Sequence, residues 1–157
     1  MTQRVDDVLR YLVKNYPYSD ELSKTRTTKM VYLIDWKSAL QRKCQITDIE
    51  WYFDHYGPFV SDVFDVADED PELSIEPTIS NFGTRKYLVK SKNPKEELVF
   101  NLSDEERRIV DSVIDETKVL TWNDFIDFVY DTYPIKYSKR YGVLDLVALA
   151  QESMSND

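Results

Sequence analysis

The sequence predicts one mainly α-helical α+β domain, with about six helices and a small antiparallel β-hairpin or three-stranded sheet around residues 75–100. Three observations carry that expectation. Apolar side chains recur at helical spacing from residue 5 to 67 and again from 109 to 150. Between those stretches, from 73 to 102, the period shortens and β-prone runs alternate with turn signals. Finally, 157 residues with 42% hydrophobic and 13% aromatic side chains can bury one core, and neither a linker nor an internal repeat divides them. The whole of 1–157 is therefore expected to be a single domain, frayed after about residue 151.

Residues 4–16 place Val5, Val8, Leu9, Leu12, Val13 and Tyr16 on one helical stripe. Asp6 and Asp7 sit in the first turn, where the helix dipole favours acids, and Pro17 with Ser19-Asp20 ends the run. After a polar stretch at 22–27, a second helix is expected from about 27 to 43, with Met30, Leu33, Ile34 and Leu40 inward. Ile46-Thr47-Asp48 reads as a turn into an aromatic segment, Trp51 to Tyr56, which is a strand or a helix. Gly57-Pro58 then marks a new helix start, since proline is tolerated at the first helical position. Phe59, Val60, Val63, Phe64 and Ala67 would be its stripe, closed by Asp68-Glu69-Asp70-Pro71.

The runs 75–79, 85–90 and 98–100 are short and β-prone, and predict two or three antiparallel strands. Ser103-Asp104-Glu105-Glu106 is a capping box that opens a helix carrying Ile109, Val110, Val113 and Ile114. Thr121 caps the next, with Trp122, Phe125, Ile126, Phe128 and Val129, which stops at Pro134. A basic link at 136–140 leads to a last helix holding Val143, Leu146, Val147 and Ala150.

Composition excludes several functions. Three glycines leave no material for a glycine-rich phosphate loop. A lone cysteine, Cys44, excludes an internal disulfide and a thiolate zinc site, and one histidine, His55, excludes metal sites built on several histidines. No metal and no cofactor is expected. No apolar run approaches a membrane span, and the acidic N-terminus lacks a signal peptide's apolar core, so the cytoplasm is the expected address. The net charge of −9 opposes non-specific nucleic-acid binding, which depends on neutralising phosphates. It leaves room for a basic partner.

Two ordered blocks in the first half carry more specific information. Lys29, Tyr32 and Asp35 form a K-x-x-Y-x-x-D pattern on the second helix. Ile46-Thr47, Trp51 and Tyr56-Gly57-Pro58 follow, with Val63 beyond. Leu102-Ser103 with Glu106, Thr132-Tyr133-Pro134, and Tyr141-Gly142 with Leu144, Asp145-Leu146 and Leu149-Ala150 make a third block. In this order the set resembles the Panacea domain, the SocA-like antitoxin family of bacteria and phages, prophages among them. The central segment 66–101 carries no matching motif. The resemblance implies a protein that binds a toxin encoded beside it and silences it by direct contact, or one that hands the toxin to an AAA+ protease. It implies no enzyme. Lys29, Tyr32, Asp35, Trp51, Gly57 and Pro58 are expected to be structural.

Other residues invite functional readings. Asp35, Glu50, Asp54 and His55 suggest a carboxylate cluster with one imidazole, but local pairing and a turn explain them more simply. Tyr56 to Phe59 is either a partner-binding turn or a helix start with Phe59 packed inward, and the structural role is favoured. The segment 62–76 holds seven acids and no base, whereas 84–95 holds five bases and no acid. The two are expected to pair partly within the fold. Alternatively Asp62, Asp65, Asp68 and Glu69, with Tyr56, are contacts for a toxin with a basic surface. Arg85, Lys86, Lys90, Lys92 and Lys95 raise the alternative of a DNA-binding regulator of its own operon, which the overall charge disfavours. Oligomeric state is not specified by any of this.

Overall fold

The computed structural model describes residues 4–155. It is mainly helical α+β, with seven α-helices, one 3-10 turn and two small antiparallel sheets among those residues. The order is α1 (Val5–Asn15), the 3-10 turn Ser19–Glu21, α2 (Lys24–Arg42), β1 (Trp51–Asp54), β2 (Gly57–Phe59) and α3 (Asp62–Glu69). It continues with β3 (Leu73–Ile79), β4 (Arg85–Ser91), α4 (Asp104–Thr117), α5 (Trp122–Tyr130), α6 (Tyr133–Tyr137), β5 (Gly142–Leu144) and α7 (Leu146–Ser155).

α2 is the axis of the molecule. It starts three residues earlier than its sequence period suggests, because Ser23 accepts the Arg26 backbone N–H and caps it. From Arg26 to Trp36 every residue is buried, so the helix is covered on all faces. α3, α4, α7, β2 and β4 pack around it. Arg26 is the most conspicuous charge inside. It donates to the Tyr16 hydroxyl and the Thr117 carbonyl, both at 3.0 Å, and its guanidinium lies 4.3 Å from the Phe125 ring.

Several expectations are corrected. Gly57-Pro58 does not open a helix: it forms β2, paired antiparallel with β1, and α3 begins at Asp62. Pro58 is accommodated because β2 is an edge strand, where a missing donor is tolerated. Phe59 consequently faces outward rather than joining the α3 stripe, whose buried members are Val63 and Ala67. The run 98–100 is not a strand, so the β3–β4 hairpin has two strands. The three-stranded sheet lies elsewhere, in the order β2-β1-β5. Its third strand takes Val143 away from the last helix, which starts at Leu146 and runs past 151 to Ser155. α5 stops at Tyr130, not at Pro134, and Pro134 instead opens the short α6, which absorbs the start of the basic link at 136–140.

The capping box is present as expected. Ser103 accepts from the Glu106 N–H at 3.1 Å, and the Glu106 carboxylate accepts from the Ser103 N–H at 2.9 Å. Glu106 is buried and also receives the Arg4 guanidinium at 2.7 Å, which ties the start of α1 to α4. Burial alone would raise its pKa, yet the bonds from Arg4 and Ser103 outweigh that and hold the carboxyl down to about 2. A depressed folded-state value means that this stabilisation is present above the ordinary pKa of 4.5 and is lost as pH falls through about 2. Glu106→Gln should therefore be less stable than wild type at neutral pH by about 2–3 kcal/mol. The gap should shrink steadily between pH 5 and 2 in thermal unfolding.

Candidate functional site

The motif residues Lys29, Tyr32 and Asp35 lie on successive turns of α2, and the structure joins all three to the segment 45–58. The Lys29 ammonium is buried and donates to the Tyr56 carbonyl at 3.0 Å and the Pro58 carbonyl at 3.4 Å. Burial lowers its pKa to about 8, with Asp54 pulling the other way. Tyr32 shares a hydrogen bond of 2.7 Å with the Thr132 hydroxyl and meets the Trp51 ring edge-on at 5.6 Å.

Asp35 is fully buried and organises the loop before β1. Its carboxylate accepts from the Ile46 N–H (3.1 Å), the Thr47 N–H (3.0 Å), the Thr47 hydroxyl (2.5 Å) and the Trp51 indole N–H (2.9 Å). Gln45 adds a longer contact at 3.4 Å. Burial raises the Asp35 pKa to about 6 against the pull of these donors. The Ile46-Thr47 turn, Trp51 and Asp35 are thus one hydrogen-bonded unit.

The hairpin turn is closed by a glycine that no other residue replaces easily. Gly57 has φ of 98°, in the left-handed region. A Cβ there would stand 2.8 Å from Cε1 of the Tyr130 ring. Gly57→Ala should cost about 2–4 kcal/mol from backbone strain and overpacking, read as a lowered denaturation midpoint. An unchanged midpoint would mean that the hairpin is not held against α5.

Held in this way, the β2-β1-β5 sheet has two different faces. Trp51, Phe53, Pro58 and Leu144 are buried beneath it. On the opposite face Tyr52 stands between Phe59 of β2 and Val143 of β5, directly opposite each in register. Phe59 is 37% and Val143 60% exposed. At the end of the sheet the turn displays Tyr56, 73% exposed, against the His55 ring. His55 Nδ1 lies 3.1 Å from the Tyr141 hydroxyl, and Arg140 donates to the His55 carbonyl at 3.2 Å. The result is an apolar, aromatic surface resting on a rigid support.

Three residues beyond Phe59, α3 begins. Asp65, Asp68 and Glu69 are exposed and Asp62 partly so, on the side away from Val63 and Ala67. None of the four forms an ion pair among the described residues, and although β4 pairs with β3 through the backbone, none of the five bases at 84–95 forms an ion pair with an acid of the segment 62–76 among them. Lys90 pairs with Asp20, while Arg10 neutralises Asp70 and contacts Glu72. The expected pairing between the acidic segment and the basic hairpin is therefore absent among the described residues.

Asp35, Glu50, Asp54 and His55 do not assemble into a reaction centre. Asp35 is sealed among residues 45–51, Glu50 is exposed, and His55 is occupied with Tyr141 on the surface. Among the described residues no group of three or more His, Cys, Asp or Glu could hold a metal ion, and no helix is long and apolar enough to cross a membrane. Sequence reading missed Tyr52, Phe59, Val143 and Tyr141 as one surface. The alternation Trp51-Tyr52-Phe53 was its only local signal.

A mainly helical α+β domain whose motif side chains brace a displayed hairpin is the class that these observations define. The pattern of the SocA-like antitoxin family, Panacea domain, matches residues 28–134, and the chain belongs to that family. The match spans the α2 motif, the Gly-Pro hairpin and Thr132-Tyr133-Pro134, and it ends before β5. This family is not typically enzymatic. No curated protein and no solved structure matches the chain.

Proposed function

We propose that this protein is an antitoxin that neutralises a cognate toxin by direct binding, and that the toxin docks on the outer sheet face and the adjoining acidic face of α3. Family membership supports the antitoxin role. The observation that carries the docking surface is the row Phe59-Tyr52-Val143, half-buried Tyr52 between two exposed neighbours, with Tyr56 at its end, continued by four carboxylates that form no ion pair among the described residues. Solvent-facing aromatic clusters of this kind mark protein contacts, and Tyr is enriched among residues that dominate binding energy. The acidic face selects a toxin with a basic surface, raises its encounter rate and repels acidic competitors. Covering the toxin's active surface then silences it sterically.

The test is growth of cells that express the adjacent open reading frame, with and without this protein, in the cytoplasm of a bacterial host. Rescue together with a co-purifying complex is the expected result. Rescue that disappears in a host lacking its AAA+ proteases would replace steric blocking with delivery of the toxin for degradation. Rescue that requires only the promoter region, and is lost on replacing Lys86 and Lys90, would replace it with operator binding.

A further inference from the structure

A different face of α2, carrying Leu33, Trp36 and Leu40, looks onto a groove shared with α4 and α5. The groove has two lobes, of about 170 Å³ over Leu33, Trp36, Leu40 and Val113 and about 460 Å³ between Leu120 and Asp131. Phe128 and Thr132 line both lobes, so they form one continuous depression. Its floor is apolar. Its α5 rim carries Asp124, Asp127 and Asp131 at steps of three and four residues, all exposed and without an ion pair among the described residues. Among the described residues Lys37 is the cation on the lining, and it is already paired with Glu116 across the groove.

We propose that this groove is a second docking site, separate from the toxin surface, that receives a short helix of a protein partner with apolar anchors on one face and Lys or Arg beside them. The reasoning is charge and shape together. An apolar floor between helices is matched by apolar side chains at i, i+3, i+4 and i+7, the usual pattern of a helix laid in a groove. Three unneutralised carboxylates along one rim leave a field that only cations can satisfy as the groove is closed to water. Phosphate backbones and acidic segments are repelled by the same field. The nine residues of α5 extend roughly 13 Å along the helix axis, which accommodates about two and a half turns of a partner helix.

A displayed library of random dodecapeptides, panned on the full chain, tests this directly. Enriched peptides should combine two or three apolar residues at helical spacing with at least two Lys or Arg. A synthetic copy should bind at least tenfold more weakly to the Asp127→Lys/Asp131→Lys protein and to Leu40→Glu. The two exposed aspartates can be reversed without disturbing the core, so that variant decides the matter even if Leu40→Glu fails to fold. No enrichment, enriched peptides lacking basic residues, or equal affinity for the charge-reversed protein would each overturn the proposal. Growth rescue by the same variant reports on the toxin surface independently, because none of its residues belongs to that surface.

Discussion

Replacing Asp35 by alanine is expected to lower the stability of the fold by about 3–5 kcal/mol, a large share of the 5–15 kcal/mol that holds a typical domain together. The size follows from what the substitution strands. The Ile46 and Thr47 N–H groups, the Thr47 hydroxyl and the Trp51 indole all donate to this one carboxylate inside the core. Each loses its acceptor inside the core, which costs the desolvation penalty of the stranded donor. Asp35→Asn retains the shape and one acceptor oxygen, so it should be hurt less, by about 2–3 kcal/mol.

A pH signature separates this from simple loss of packing. The folded-state pKa of Asp35, about 6, lies above its ordinary 3.8, so the folded form holds its proton more tightly than the unfolded one. Stability from this group therefore rises as pH falls from about 6 toward 4, opposite in sign to the acid loss carried by Glu106. Urea unfolding of wild type and Asp35→Asn at pH 7 and pH 5 should show that gain in wild type alone. Equal slopes in both proteins would remove Asp35 as its source.

The second large effect concerns function rather than folding. A variant combining Tyr56→Ala, Phe59→Ser and reversal of Asp62, Asp65, Asp68 and Glu69 to lysine should fold yet lose toxin neutralisation. The aromatic changes remove buried area at the centre of the contact, where truncations commonly exceed 2 kcal/mol each. Charge reversal turns attraction for a basic toxin into repulsion and should slow association by roughly 10- to 1,000-fold at low salt. Separating the two halves is informative: the lysine variant should affect the on-rate and salt dependence, and the aromatic variant the off-rate. Binding by the lysine variant that equals wild type at low salt would exclude α3 from the contact.

Much of the helical frame was legible in the sequence because its signals are local. The Ser103–Glu106 capping box, the Thr121 cap and the apolar stripe of α1 each lie within a turn or two of the helix they define. β5 was not legible. It is three residues long, follows Tyr141 with φ of 69°, and exists only because Trp51 to Phe53 offers an edge some ninety residues away. Pro58 misled for a related reason: proline suits both a helix start and an edge strand, and the choice rests on pairing with β1 and on the Lys29 bonds to the Tyr56 and Pro58 carbonyls, both non-local. The motif residues lie buried and bonded within the fold, whereas the surface above them depends on pairing that no local pattern encodes. The acidic face of α3 was visible as composition, but only the fold shows that it forms no ion pair among the described residues.

The decisive measurement is the mass and dissociation constant of a complex between this protein and the product of its neighbouring gene, both purified, by size-exclusion chromatography with light scattering and by calorimetry. A stable complex is predicted, lost in the combined docking variant and retained in the Asp127→Lys/Asp131→Lys protein. Absence of any complex between purified components that nonetheless rescue growth together would contradict neutralisation by direct contact.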